Sequence, residues 1–61
     1  MILYRDNTAQ STEIQAQLEE AGYTLEVVFV APNDWRIPAV VTDDAVFLEG
    51  LANIRQYLLG A

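Results

Sequence analysis

The sequence predicts a single small α/β domain with a mixed, α+β-type sheet and the element order β-α-β-β-β-α over residues 1–61. Three observations predict it. Apolar residues recur at helical spacing twice, at Ile14, Leu18 and Ala21 and again at Leu51, Ile54 and Leu58. Short apolar or β-branched runs, MILYR, TLEVVFV, IPAVVT and AVFLE, lie outside those two stretches. Turn-forming residues separate the runs, and no repeat, linker or low-complexity segment interrupts them.

Taken in order, each element has a local cause. Met1–Arg5 is too short for a helix and apolar enough for a buried strand, which Asp6-Asn7-Thr8 then breaks. A helix follows from about Ala9 to Ala21, with Glu13, Gln15, Gln17, Glu19 and Glu20 mostly off its apolar stripe. Asn7, Thr8 or Ser11 can cap it, and Gly22 can take the left-handed conformation that stops it. TLEVVFV (24–30) is apolar on both alternating faces after Glu26, as in a strand covered wholly or partly on two sides. Pro32, Asn33 and Asp34 end it. IPAVVT (37–42) and AVFLE (45–49) flank Asp43-Asp44, a pair suited to a tight connection and hence to an antiparallel hairpin. GLANIRQYLL closes the chain as a helix ending at Gly60.

Composition limits the function. Sixty-one residues bury only about 60% of the surface that the unfolded chain exposes, so stability reserves are thin. Cysteine and histidine are both absent, which removes disulfides, thiolate metal sites and the usual zinc ligand. The 52% hydrophobic content leaves association as a route to further burial. A net charge of −6, with arginines as the only basic residues, repels phosphate backbones and anionic lipid, so neither nucleic acid nor membrane is an expected partner. No apolar run approaches the roughly 20 residues of a membrane span, and no signal-peptide pattern opens the chain. A soluble, cytoplasmic protein is expected.

This order of elements resembles the core of the thioredoxin fold, with glutaredoxins and the N-terminal domains of glutathione transferases nearest in character. The likeness rests on LY (3–4), LEEAGYTLEVVFV (18–30), RIPAVVTDD (36–44) and FLEGLANIRQYL (47–58), and covers nearly the whole chain. It implies four strands in the order 2-1-3-4, with two helices packed on one face. Setting the helix on LEEAG places the family's C-x-x-C over Thr8-Ala9-Gln10-Ser11, where hydroxyls stand in place of thiols. A helix N-terminus lowers the pKa of a thiol there, but serine and threonine stay protonated in the same field, so dithiol exchange is excluded.

A second departure concerns the sheet. The family usually places a helix between its second and third strands, over the opposite face, whereas only APNDWR (31–36) fills that gap here. Six residues reach about 20 Å, enough to cross past one strand. The Val28 and Val30 face, or the Val27 and Phe29 face, is then covered by nothing but Trp35 and loop backbone. Uncovered apolar faces of several hundred Å² mark interfaces. A homodimer or a protein partner is expected there, with Val28, Val30 and Trp35 in the contact; Trp35 either plugs the face within its own subunit or anchors into the partner.

The remaining candidates also follow from the resemblance. It implies that the Ile37-Pro38 bond is a candidate for the family's cis-proline, whose preceding backbone pairs with bound peptide or glutathione. Glu49-Gly50 sits where transferase domains hold the γ-glutamyl end of glutathione, and a hydroxyl at Thr8 or Ser11 would steady a bound thiolate. Each has a simpler role: helix caps for Thr8 and Ser11, a trans strand start for Pro38, a dipole-complementing carboxylate for Glu49. Arg5 and Arg36 either flank the groove or lie solvated, and Asp43 and Asp44 are turn residues rather than calcium ligands. The expected function is a non-catalytic, glutaredoxin-like binding or scaffolding module that self-associates and needs no cofactor or metal. The alternative is a transferase-like protein that binds glutathione, a thiol peptide.

Overall fold

The computed structural model describes residues 1–30 and 36–60. Its elements are β1 (Ile2–Arg5), α1 (Ala9–Glu20), β2 (Glu26–Phe29), β3 (Ala39–Val41), β4 (Phe47–Glu49) and α2 (Leu51–Gly60). The strands form one mixed sheet in the order β2-β1-β3-β4, the order that the resemblance implies. β1 runs parallel to β2, because α1 carries the chain back to the starting end of the sheet, and antiparallel to β3. A hairpin joins β3 to β4.

The register divides the residues between two faces. Val27, Leu3, Val40 and Leu48 form one cross-strand row. Leu3 and Val40 are fully buried against Ile14 and Leu18 of α1 and Ile54 of α2, which places both helices on that side. On the other side lie two rows, Glu26–Ile2–Val41–Phe47 and Val28–Tyr4–Ala39–Glu49. No described helix packs there.

The strands are shorter than the apolar runs that mark them. The run 24–30 contracts to Glu26–Phe29 because its partner β1 offers only four residues, although the Glu26 and Val30 amides still donate to the Met1 and Arg5 carbonyls at 2.9 and 2.8 Å. Coverage of β2 is only partial: Val27 is half-buried on the helix side, Val28 is 37% exposed on the other, and Phe29 is 61% exposed. β2 is an edge strand, and the buried core centres on β1 and β3.

α1 and the hairpin obey local rules. Thr8 is the N-cap of α1, its hydroxyl accepting from the Ser11 amide. At the other end Gly22 has φ +96°, with the Gly22 amide donating to the Glu19 carbonyl and the Tyr23 amide to that of Leu18, a Schellman stop. Ala21, expected in the apolar stripe, is exposed at the C-cap; Ser11 instead joins Ile14 and Leu18 on the buried face. Asp43 and Asp44 occupy the middle of a turn closed by the Ala45 amide on the Thr42 carbonyl at 3.0 Å. Ala45 follows at φ 64°, a position that three-residue hairpins usually give to glycine.

Candidate functional site

The first group of candidate residues belongs to the loop where β1 hands over to α1. Asp6 is 5% exposed, and its Oδ1 accepts from the Thr8 amide at 3.0 Å, the Thr8 hydroxyl at 2.6 Å and the Ser11 hydroxyl at 2.9 Å. The Thr8 hydroxyl, followed by its amide and then by Ser11, holds the Asp6 carboxyl below its ordinary range. A carboxylate stabilised in that way is a weaker base than a free one, and so does not activate either hydroxyl as a nucleophile. Ser11 is fully buried, its hydroxyl turned inward to Asp6 rather than toward a ligand. The network completes the cap of α1.

Arg5 closes the same corner from the helix side. It shares the face of Leu3, so its guanidinium folds over α1, donating to the Asp6 carbonyl at 3.0 Å, Gln15 Oε1 at 2.6 Å and Thr12 Oγ1 at 2.9 Å, and lies 4.9 Å from the centre of the Phe29 ring. Arg36 lines a groove on the opposite face. The two arginines therefore do not flank one groove. Strand alternation alone separates them, since residue 5 has the parity of Leu3 and not of Tyr4.

The second group gathers on the open face. A groove of about 310 Å³ is lined by Tyr4, Arg36, Ile37, Ala39, Phe47 and Glu49. The Ile37-Pro38 peptide is cis and Pro38 is buried. The Gly50 amide donates to the carbonyls of both Arg36 and Pro38 at 3.0 Å, tying the Pro38 segment to the end of β4. Gly50, at φ 84°, is also the residue from which α2 starts, the Ile54 amide reaching its carbonyl at 3.3 Å. Glu49 pairs with Ala39 in the register and so faces the groove, 3.8 Å from the Arg36 guanidinium, instead of sitting in the first turn of α2.

The structure thus brings Ile37, Pro38, Glu49 and Gly50 together at one end of the sheet. Continuing the Tyr4↔Ala39 register by one residue sets Pro38 opposite Arg5, so the Thr8 and Ser11 loop lies at that same end, although neither hydroxyl lines the groove. Of the interface candidates, Val28 faces the open side, and Val30 follows with the same alternation, half-buried just beyond β2. Trp35 lies outside the described residues, as do Pro32, Asn33 and Asp34. Sequence reasoning missed Asp6 as the organiser of the loop; an aspartate two residues before a threonine cap was the available signal.

Around these groups the chemistry is sparse. Among the described residues no cluster of carboxylates could hold a metal ion, and no described helix is long and apolar enough to cross a membrane. Fold and site define a cysteine-free α+β domain whose open sheet face carries an apolar groove. Compared with protein-family models, curated proteins and solved structures, the chain matches none.

Proposed function

We propose that the protein is a non-catalytic binding or scaffolding module that docks through the open face of its sheet. The observation that carries this reading is the half-apolar state of that face: Phe47 is 55% and Val28 37% exposed on the side opposite the helices. Large side chains left in water on a sheet face gain free energy when a partner covers them, at about 25 cal/mol per Å². The glutaredoxin-like order of elements supports a scaffold reading, and the lack of thiol and imidazole leaves surface shape rather than bond chemistry for it to use. Both a second copy, giving a homodimer, and a partner protein satisfy the burial. The reading places the module in the cytoplasm, a setting that a cysteine-free acidic chain suits.

A neutral apolar dye tests the face itself. Nile red fluorescence is expected to rise on binding the wild type and to be lost in a Val28→Ser/Phe47→Ser variant that keeps its far-UV circular dichroism. Equal dye binding by both proteins would refute the reading.

A second reading, capture of glutathione or a similar thiol peptide, is favoured by the groove that Ile37 and Glu49 line together. The burial of Ser11 weighs against a hydroxyl contact to the thiol. Titration with reduced glutathione to millimolar concentration decides: localised amide shifts at Tyr4, Ile37 and Glu49 support it, and none discards it.

A further inference from the structure

We infer that the occupant of the open face is a cationic amphipathic helix of a partner protein, with basic residues about eleven positions apart bracketing an apolar stripe. The inference rests on the docking role proposed above and names its partner.

The two rows of the open face have a carboxylate at opposite corners. Glu26 begins the first row on the β2 edge, and Glu49 ends the second on the β4 edge, with Ile2, Val41, Tyr4 and Ala39 of the central strands between them and Val28 and Phe47 at the two remaining corners. Three inter-strand spacings of about 4.8 Å and a two-residue offset of about 6.6 Å separate the corners by about 16 Å. In an α-helix, positions i and i+11 are about 16.5 Å apart and differ by only about 20° around the axis, so one helix face can place a cation at each corner. The apolar positions between them fall on the strip.

Two arguments select this occupant. A sheet face presents side chains, not backbone donors and acceptors, so an extended segment laid on it would leave its own amides unpaired, whereas a helix satisfies them internally. Charge favours a cationic partner over a second copy, because pairing two chains doubles a net charge of −6 and repeats the same carboxylates. Arg36, 3.8 Å from Glu49 and half exposed, offsets part of the charge at that corner, so a partner cation there competes with a weak, solvent-screened pair, whereas Glu26 lies at the other edge of the sheet.

The test uses two synthetic 18-residue helical peptides that share one leucine stripe, one with arginine and one with glutamate at the i and i+11 positions. Amide shifts of the full chain should move at Ile2, Val28, Val41 and Phe47 with the arginine peptide. Its affinity should fall about fivefold in a Glu26→Gln/Glu49→Gln variant and weaken further as salt rises from 50 to 500 mM. Equal binding of the glutamate peptide would overturn the charge assignment while leaving the docking face standing. Light scattering at twice the chain's mass, with no response to either peptide, would make the occupant a second copy. If neither peptide binds, the chain stays monomeric and Nile red is not taken up, the docking role itself fails.

Discussion

Asp6 shows how the desolvation of a buried carboxylate in a small protein can be offset by hydrogen bonds. Its carboxylate has one amide and two hydroxyl donors, and no described buried side-chain polar atom is left without a partner. Ser11→Ala removes one of those donors at a fully buried position, and urea unfolding should show a loss of about 1 kcal/mol. The pH dependence has a definite sign. Because the folded state lowers the Asp6 pKa, its contribution is fully present above the unfolded value of about 3.9 and is lost as pH falls through the lower folded value. Unfolding curves between pH 6 and pH 2 should therefore weaken more in the wild type than in Asp6→Asn. A parallel loss in both proteins would contradict the assignment. Thr8 was legible as a cap from sequence because cap chemistry is local; Ser11 as a buried partner was not, since its burial depends on what α1 packs against.

At the scale of elements, three described positions have positive φ, Gly22, Ala45 and Gly50, and the first two carry opposite chemistry. Gly22 suits its φ of +96°, and a Cβ there would touch nothing, so Gly22→Ala isolates the conformational cost. That cost should be about 1 kcal/mol, read as a lower midpoint in urea at unchanged slope. Ala45 at φ 64° is the reverse case, and Ala45→Gly should raise stability by about 0.5–1 kcal/mol in the same assay. Element type was readable throughout because the helices show a 3.6-residue apolar period, whereas the strands are short apolar or β-branched runs bounded by turn residues. Strand limits were not. The ends of β2, β3 and β4 are set by the length of the neighbour each pairs with, which a run of apolar residues does not encode.

The whole molecule rests on one small core, Leu3, Ile14, Leu18, Val40 and Ile54, closed from the sides by residues such as Leu25, Leu48 and Leu51. A domain of this length holds roughly 3–9 kcal/mol of stability, and truncating a buried isoleucine removes about 2–5. Ile54→Ala should therefore leave a large part of the chain unfolded at 25 °C, visible as loss of helical circular dichroism and of amide protection. Phe47→Ser makes the contrast. Half exposed on an edge strand, it should cost under about 1 kcal/mol while weakening whatever docks on the open face. Stability and function would then separate onto the two faces of one sheet. The candidate site was legible in part: of Thr8, Ser11, Ile37, Pro38, Glu49 and Gly50, chosen as one group, the last four are neighbours in space while neither hydroxyl lines the groove, and the pairing of Arg5 with Arg36 failed on strand parity.

By itself the sequence determined the order and type of the elements, the absence of thiol and imidazole, and the excess of negative charge, since all of these reside in residue identity and short-range patterning. Only the tertiary structure decided which alternating set of side chains lies under the helices and which faces water. That choice depends on registers between strands far apart in the chain. A shift of one residue in any of them would exchange Leu3 and Val40 for Tyr4 and Val41 and turn the core into the docking face.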